Sequence, residues 1–291
     1  MKSTSLSDKL FGVFVALLLS LLVVCTLYPL IYVAIASVSD GGRLMAHQGL
    51  LWKPLGFNLS GYERVLGNKS IYTGYMNTLI IVITGVVLNV AMTTAAAFVL
   101  SRKQVMWNSF FMFFIVFTMF FSGGLIPLYL IVKGAGLTNT LASVILPFAM
   151  NTFHLIIMRT SFQAIPETLE ESAKIDGAHH LTILLRIVIP LSMPVIAVVI
   201  LYAAVDRWNA WFYASVFLKD RSLYPLQLIL RELLISDSTD TISTGAVNEL
   251  HQIGETIKYA SIMVATLPIL FIYPFLQKHF VKGVMIGALK G

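Results

Sequence analysis

The chain alternates long apolar stretches with short polar connections. Six apolar segments emerge, at about 10–37, 76–100, 107–132, 141–161, 191–216 and 258–278. Each is near or beyond the roughly 18–20 residues that cross a hydrocarbon core of about 30 Å. Membrane strands would be alternating segments near ten residues, so the pattern predicts helices, whose backbone groups bond internally as lipid requires. The predicted fold is all-α, a polytopic membrane protein with six transmembrane helices in a single domain over 1–291. Two connections are long, about 38–75 and 217–257. The first carries Trp52, Tyr62 and several glycines, and the second carries Tyr224-Pro225 and a Ser/Thr/Asp-rich patch from Ser236 to Thr244. Span three is interrupted at Ser122-Gly123-Gly124, with Pro127 three residues on. That reads either as a tolerated kink or as a broken helix bordering a pathway.

Composition agrees with the pattern. Hydrophobic residues make up 57% of the chain and charged residues 12%, with a mean hydropathy of +0.84. A soluble domain carries about twice that charge. Lys2 and Lys9 precede an apolar run from Leu10 to about Val38, and Ala34-Ile35-Ala36 resembles a cleavage site. The run is longer than the roughly 7–15 residues of a signal h-region, so it reads as an uncleaved first span. The one cysteine, Cys25, lies in that span and reads as a small buried hydrophobe. The net charge of +6 reflects basic loop residues that set orientation. With the N-terminus inside, Arg102-Lys103, Arg159, Lys174, Arg186 and the basic tail (Lys278, Lys282, Lys290) fall on the cytoplasmic side. Both termini are expected there.

The most informative stretch joins spans four and five, at about 163–190. From Pro166 it reads Pro-Glu-Thr-Leu-Glu-Glu-Ser-Ala-Lys-Ile-Asp-Gly. Proline opens helices, acids suit the first turn and glycine ends them, so a short helix is expected over about 166–176, stopped by Gly177. Leu169, Ser172, Ala173 and Asp176 share one face of small residues, suited to close approach of another protein. From His179 to Ile189, Leu181, Leu184, Leu185 and Val188 make an apolar stripe with Arg186 opposite. On physical grounds alone an ordinary surface hairpin is an equally open reading.

This stretch resembles the coupling loop of importer permeases in the ABC transporter superfamily. That pattern is Glu-Ala-Ala, three residues, Gly, nine residues, then Ile-x-Leu-Pro. Glu171-Ser172-Ala173, Gly177 and Ile187-Val188-Ile189-Pro190 fill it, with Ser172 and Ile189 as small or isosteric replacements. Asn77-Thr78-Leu79, Trp208-Asn209 and Gly287-Ala288-Leu289-Lys290-Gly291 extend the resemblance to the carbohydrate branch, the maltose-type second permease. Phe121-Ser122-Gly123-Gly124-Leu125-Ile126-Pro127 and Tyr224-Pro225-Leu226-Gln227 resemble permeases for complex or acidic oligosaccharides, such as alginate or polygalacturonate oligomers. The resemblance implies a bacterial inner-membrane subunit that forms half of a translocation path. It further implies a homologous permease, two ATPase subunits and an extracytoplasmic solute-binding protein as partners, besides membrane lipid. Glu170, Glu171, Ser172, Ala173, Asp176 and Gly177 then contact or couple to the ATPase. ATP and Mg are held by that partner, since this chain has no Gly-x-x-x-x-Gly-Lys-Ser/Thr loop.

Other residues bear on the path. His154 lies within span four, as a pathway group or a bundle-facing histidine bonded to a neighbour, with Asn151 one turn earlier. Asp206-Arg207-Trp208-Asn209-Ala210-Trp211 reads as an interfacial anchor with a local ion pair, or as a sugar site where aromatic faces stack and amides bond hydroxyls. Asn151, His154, Trp208, Asn209 and Trp211 are the candidate path residues. His179-His180 point to different faces and do not make a metal site. No nucleophile–base set, catalytic carboxylate pair or nucleic-acid motif stands out, so the chain reads as non-catalytic. The alternatives are a permease for another solute, or an ion-coupled carrier, which would need carboxylates inside its spans.

Overall fold

In the computed structural model the described residues are 6–239, 254 and 256–271. The final residues of the expected sixth span, the tail lysines, Gly287–Gly291 and most of the Ser236–Thr244 patch lie outside them. The chain forms helices joined by turns, and among the described residues the β content is an isolated bridge between Ser39 and Phe57. In order, the helices are α1 (Leu6–Ser37), α2 (Gly41–Ala46), α3 (Ser60–Gly67), α4 (Lys69–Ser101), α5 (Asn108–Phe120), α6 (Leu125–Gly134) and α7 (Ala142–Ile145). Then come α8 (Thr152–Gln163), α9 (Glu167–Ile175), α10 (His180–Ile183), α11 (Ile189–Leu191), α12 (Met193–Trp208), α13 (Phe212–Phe217), α14 (Leu226–Thr239) and α15 (Thr256–Phe271).

Contacts divide the chain into two compact units, Met1–Lys69 with Leu230–Leu267, and Ser70–Ile229 with Pro268–Gly291. In the first unit Ala36, Leu44 and Leu51 form the core, with Tyr32 and Tyr259 packed on it. Tyr28 Oη accepts from the Leu51 amide at 2.9 Å, and the Ser37 and Tyr62 hydroxyls meet at 2.8 Å. Gly61 allows α3 to lie against α15, since a Cβ there would come within 2.8 Å of the Thr256 carbonyl oxygen. Cys25 is exposed on α1, contrary to the expectation of burial. Nearly every residue from Leu10 to Ile31 is exposed because this helix meets surroundings as apolar as itself on most sides.

The second unit holds the other spans, and only α4 runs through without a break among its described residues. Among the described residues α1 and α4 are each long and apolar enough to cross a membrane, and the number reaches five where each of three bent helix pairs counts as one span. α5 and α6 meet at 111°, the helices before and after residues 149–151 at 45°, and the segments before and after Ser192 at 83°. Two of the bends have a cause in the sequence. Gly124 sits at φ 85, ψ 179, a region open in practice only to glycine. The interruption at Ser122–Gly124 is thus a break in the helix and not a kink. Around Ser192, Pro190 and Pro194 each remove a helix donor, one on either side of the bend. α5 buries no residue of its own, and its phenylalanines face outward.

The helix ends differ from the hydropathy pattern where polar residues continue a helix beyond lipid. α4 begins at Lys69 instead of 76, and both long connections contain helices, α2 and α3 in one and α14 in the other. α12 stops at Trp208, so the expected span to 216 ends in a separate helix, α13. The expected stripe before Pro190 also changes. Ile183 and Val188 are buried while Leu181 and Leu185 are exposed, because Leu184–Val188 is a π turn that shifts the helical phase.

Gly124→Ala should destabilise the chain by about 1–3 kcal/mol through its backbone alone. Gly123→Ala, whose Cβ would meet Pro127 at an ordinary 3.7 Å, should stay within about 0.5 kcal/mol of the parent. Thermal unfolding of both in one detergent gives the comparison, and equal melting temperatures would refute it.

Candidate functional site

The break in span four leaves backbone groups open, and side chains from two other helices fill them. Helix α7 continues as a 3-10 turn over Leu146–Phe148, so its last carbonyls have no partner within the helix. The Arg207 guanidinium of α12 donates to the Val144 carbonyl at 3.1 Å and to that of Phe148. A cation at a helix C-terminus also suits the helix dipole. Asn89 of α4 donates its Nδ2 to the Ala149 carbonyl at 3.1 Å. Across the break, the Asn151 carboxamide oxygen accepts from the Phe153 and His154 amides and caps α8.

One consequence is the state of His154, which is 2% exposed. Asn89 has committed its amide donor, so its Oδ1 accepts from His154 Nδ1 at 3.0 Å. The network thereby assigns the proton of the neutral ring to Nδ1. The ring also stacks on Tyr202, 6.2 Å away and tilted by 11°. His154 is thus a bundle-facing histidine bonded to a neighbouring helix, and it also lines a cavity.

That cavity, about 300 Å³, lies at the break. Its polar lining includes Asn89, Asn151, His154, Asp206 and Arg207, and Phe148 and Tyr213 contribute aromatic faces. A few convergent polar groups in an apolar hollow are how small-molecule sites fix orientation. Asn151 and His154 are thus brought together, whereas the other three candidates are not. Trp208 is buried against Tyr75, with ring centroids 6.3 Å apart. Asn209 turns back to the Val205 carbonyl at 2.9 Å, and Trp211 packs edge-on against Phe212. Arg207 is 7% exposed and bonds carbonyls instead of Asp206, so the expected interfacial ion pair does not form. Gly85 makes room for it, since a Cβ there would lie 3.1 Å from Arg207 Nε. Asn89 went unnoticed in the sequence and Arg207 was read there only within the Asp206–Trp211 stretch; the available signal was a strongly polar residue inside an apolar run.

A second constellation surrounds α9. Asp176 follows the helix and Gly177 takes φ +79, the left-handed turn expected of it. Pro166 precedes the first helical residue instead of occupying it. Glu170 is buried in an ion pair with Arg102, just past α4, and Arg102 also lies 4.3 Å over the Phe98 ring. Glu170 is therefore engaged within the chain, while Glu171 stays exposed and Ser172 returns its hydroxyl to the Thr168 carbonyl. Ala173 is half-buried against the core, and Asp176 and Gly177 are exposed.

Glu167 pairs with Lys103 at 2.8 Å, with side chains 64% and 82% exposed. The hydrogen bond and charge of Lys103 hold Glu167 below the usual carboxylate range, and Glu167 raises Lys103. The depressed Glu167 favours the folded state above its unfolded value, a gain lost as pH falls through the lowered one. The raised Lys103 favours folding below the usual lysine value, a gain lost as pH rises through the raised one. The pair therefore stands across neutral pH, open to screening by salt.

Asn77 and Thr78 lie two turns inside α4. The Asn77 amide donates to the Ser222 and Tyr224 carbonyls at 2.8 and 3.1 Å, and Thr78 Oγ1 accepts from the Leu226 amide at 2.9 Å. The Asn77-Thr78 and Tyr224-Pro225-Leu226 motifs, 145 or more residues apart, form one junction.

Comparison with known proteins adds an independent line. The signature of the family described as "Binding-protein-dependent transport system inner membrane component" matches residues 94–286. The chain is 37% identical over 294 residues to the polygalacturonan/rhamnogalacturonan transport system permease protein YtcP of Bacillus subtilis (strain 168), covering 98% of this chain and 100% of the relative. It is 39% identical over 267 residues to Protein LplC of the same organism, covering 91% and 90%. One solved structure, described as a bacterial ABC transporter involved in the import of the acidic polysaccharide alginate, matches with TM-score 0.86 and 33% identity. The match covers 96% of this chain and 100% of that one.

Asn89→Leu should leave the Ala149 carbonyl and His154 Nδ1–H buried without a partner, costing about 1–3 kcal/mol. Lys103→Gln should change stability by less than about 1 kcal/mol. Melting temperatures in detergent check both, and a larger loss from Lys103→Gln would reverse the assignment.

Proposed function

Because the chain belongs to the family of binding-protein-dependent transport system inner membrane components, we propose that it forms half of the translocation path of an ATP-driven oligosaccharide importer. The narrower proposal is that acidic, uronate-bearing oligomers are its cargo. The observation that carries this reading is end-to-end likeness to chains whose names specify pectic and alginate polysaccharides. The membrane subunit is not itself an enzyme. A homologous permease supplies the other half of the path, two cytoplasmic ATPase subunits bind ATP and Mg, and an extracytoplasmic binding protein delivers the sugar. Both termini and α9 lie on the cytoplasmic side, as the basic connections suggest.

In this reading α9 docks on the ATPase through the exposed part of its small-residue face, with Glu171, Ser172, Asp176 and Gly177 at the contact. Ala173 supports the helix from within, and Glu170 acts inside the permease. The cavity at the break of span four is a polar station in the path, where Asn151 and His154 face the sugar. Acidic sugars keep much of their hydration in such a cavity, because Arg207 is committed to carbonyls and Asp206 repels carboxylates. Discrimination between charged and neutral oligomers then rests mainly with the binding protein.

Two measurements test this. In proteoliposomes containing the full complex, uronate oligomers should be taken up with ATP hydrolysis, and transport of neutral oligomers alone would overturn the narrower cargo. Gly177→Val strains a left-handed turn by roughly 1 kcal/mol or more. It should leave the permease in the membrane but reduce sugar-stimulated ATP hydrolysis. Unchanged stimulation would remove Gly177 from the coupling element.

A further inference from the structure

The route by which motion at α9 reaches the cavity is not given by chain continuity. Downstream of α9 the backbone passes through the π turn at Leu184–Val188 and the 83° bend at Ser192 before reaching α12. Upstream, the turn at residues 164–166 separates α9 from α8, whose far end stops at the break at residues 149–151. Each of these junctions interrupts the regular i→i−4 ladder of an α-helix.

α4 offers a stiffer route, and both of its working ends are occupied. At its C-terminal end Arg102 holds Glu170 of α9. The same end is tied to its neighbours. Arg159 of α8 donates to the Leu100 carbonyl at 2.8 Å, and Asn108 of α5 donates to the carbonyls of Leu100 and Arg102 at 3.0 and 2.8 Å. Some thirteen residues back, about 20 Å along an unbroken helix, Asn89 holds His154 and the Ala149 carbonyl. One turn further, Gly85 receives Arg207.

We propose that Arg102 and Glu170 clamp α9 to α4, making α4 the lever that carries displacement of α9 to the cavity wall. They are positioning residues for coupling, not ATPase contacts. The buried placement of Glu170 makes it the working partner, whereas Lys103–Glu167 is a solvated accessory. The clamp rests on the proposal that α9 receives the ATPase stroke.

The test uses the complete complex in nanodiscs, reading basal and sugar-plus-binding-protein-stimulated ATP hydrolysis. Arg102→Glu and Glu170→Arg should each lower stimulation about tenfold, within the usual range of coupling between sites, while basal hydrolysis and ATPase retention persist. The swap Arg102→Glu with Glu170→Arg should restore stimulation to within about threefold of the parent. Lys103→Glu should change it by less than about twofold. A double glycine replacement of Ala95 and Ala96 softens the lever between its ends without touching the clamp, and should also lower stimulation. Full stimulation in Arg102→Glu, no rescue by an assembled swap, or full stimulation in the glycine variant would overturn the proposal. If the unmodified complex shows no sugar-dependent hydrolysis, the functional reading fails and the clamp falls with it.

Discussion

A backbone carbonyl or amide away from water must find a partner, and this constraint organises the second unit. Continuous helices meet it internally, but most spans in this unit are interrupted. At each interruption the open groups need donors and acceptors from elsewhere. Arg207 and Asn89 fill the end of the helix before residue 149, Asn151 fills the start of α8, and Asn77 with Thr78 secures the chain around Tyr224 and Leu226. The side chains that close the breaks are therefore the polar side chains available to a cavity. Structural and functional polarity coincide because both concentrate where the helix stops.

The same logic explains why Arg207, in an apolar region, gives its hydrogen bonds to carbonyls and not to a carboxylate. Its acceptors are carbonyls at a helix C-terminus, which carry partial negative charge and need donors in any case. A buried pair with a carboxylate would require desolvating a second charge. By contrast, the Arg102–Glu170 pair forms at the edge of the unit, where the guanidinium also spreads over Phe98. The two arginines thus serve different needs, one closing a helix end and the other joining two helices.

Much of the fold was legible in the hydropathy pattern because lipid imposes a length and a composition on any span. α1 and the cores of the other spans follow from it, and Gly177 ended α9 as glycine after a short acidic helix should. The helix starts were less legible, since hydropathy marks where lipid ends and not where the helix ends. Lys69–Tyr75 continues α4 although its composition is polar. The roles of Asn89, Arg207 and Glu170 depend on partners 59 or more residues away, and a local pattern carries no trace of them. His154 was recognisable as significant from its setting alone, while its tautomer depended on Asn89. Trp208 and Asn209 resembled a sugar platform in composition, yet their geometry directs them toward Tyr75 and Val205.

The fit of Arg207 against Gly85 has a consequence for how this sequence can vary. The space at position 85 is defined by a side chain 122 positions away, so the residues admissible at one site depend on the other. A shorter residue at 207 would open room at 85 and, at the same moment, strand the carbonyls of Val144 and Phe148. Inherited change here is therefore tied in sets: the occupant of 85, the donor at 207 and the turn after α7 are free to drift only together.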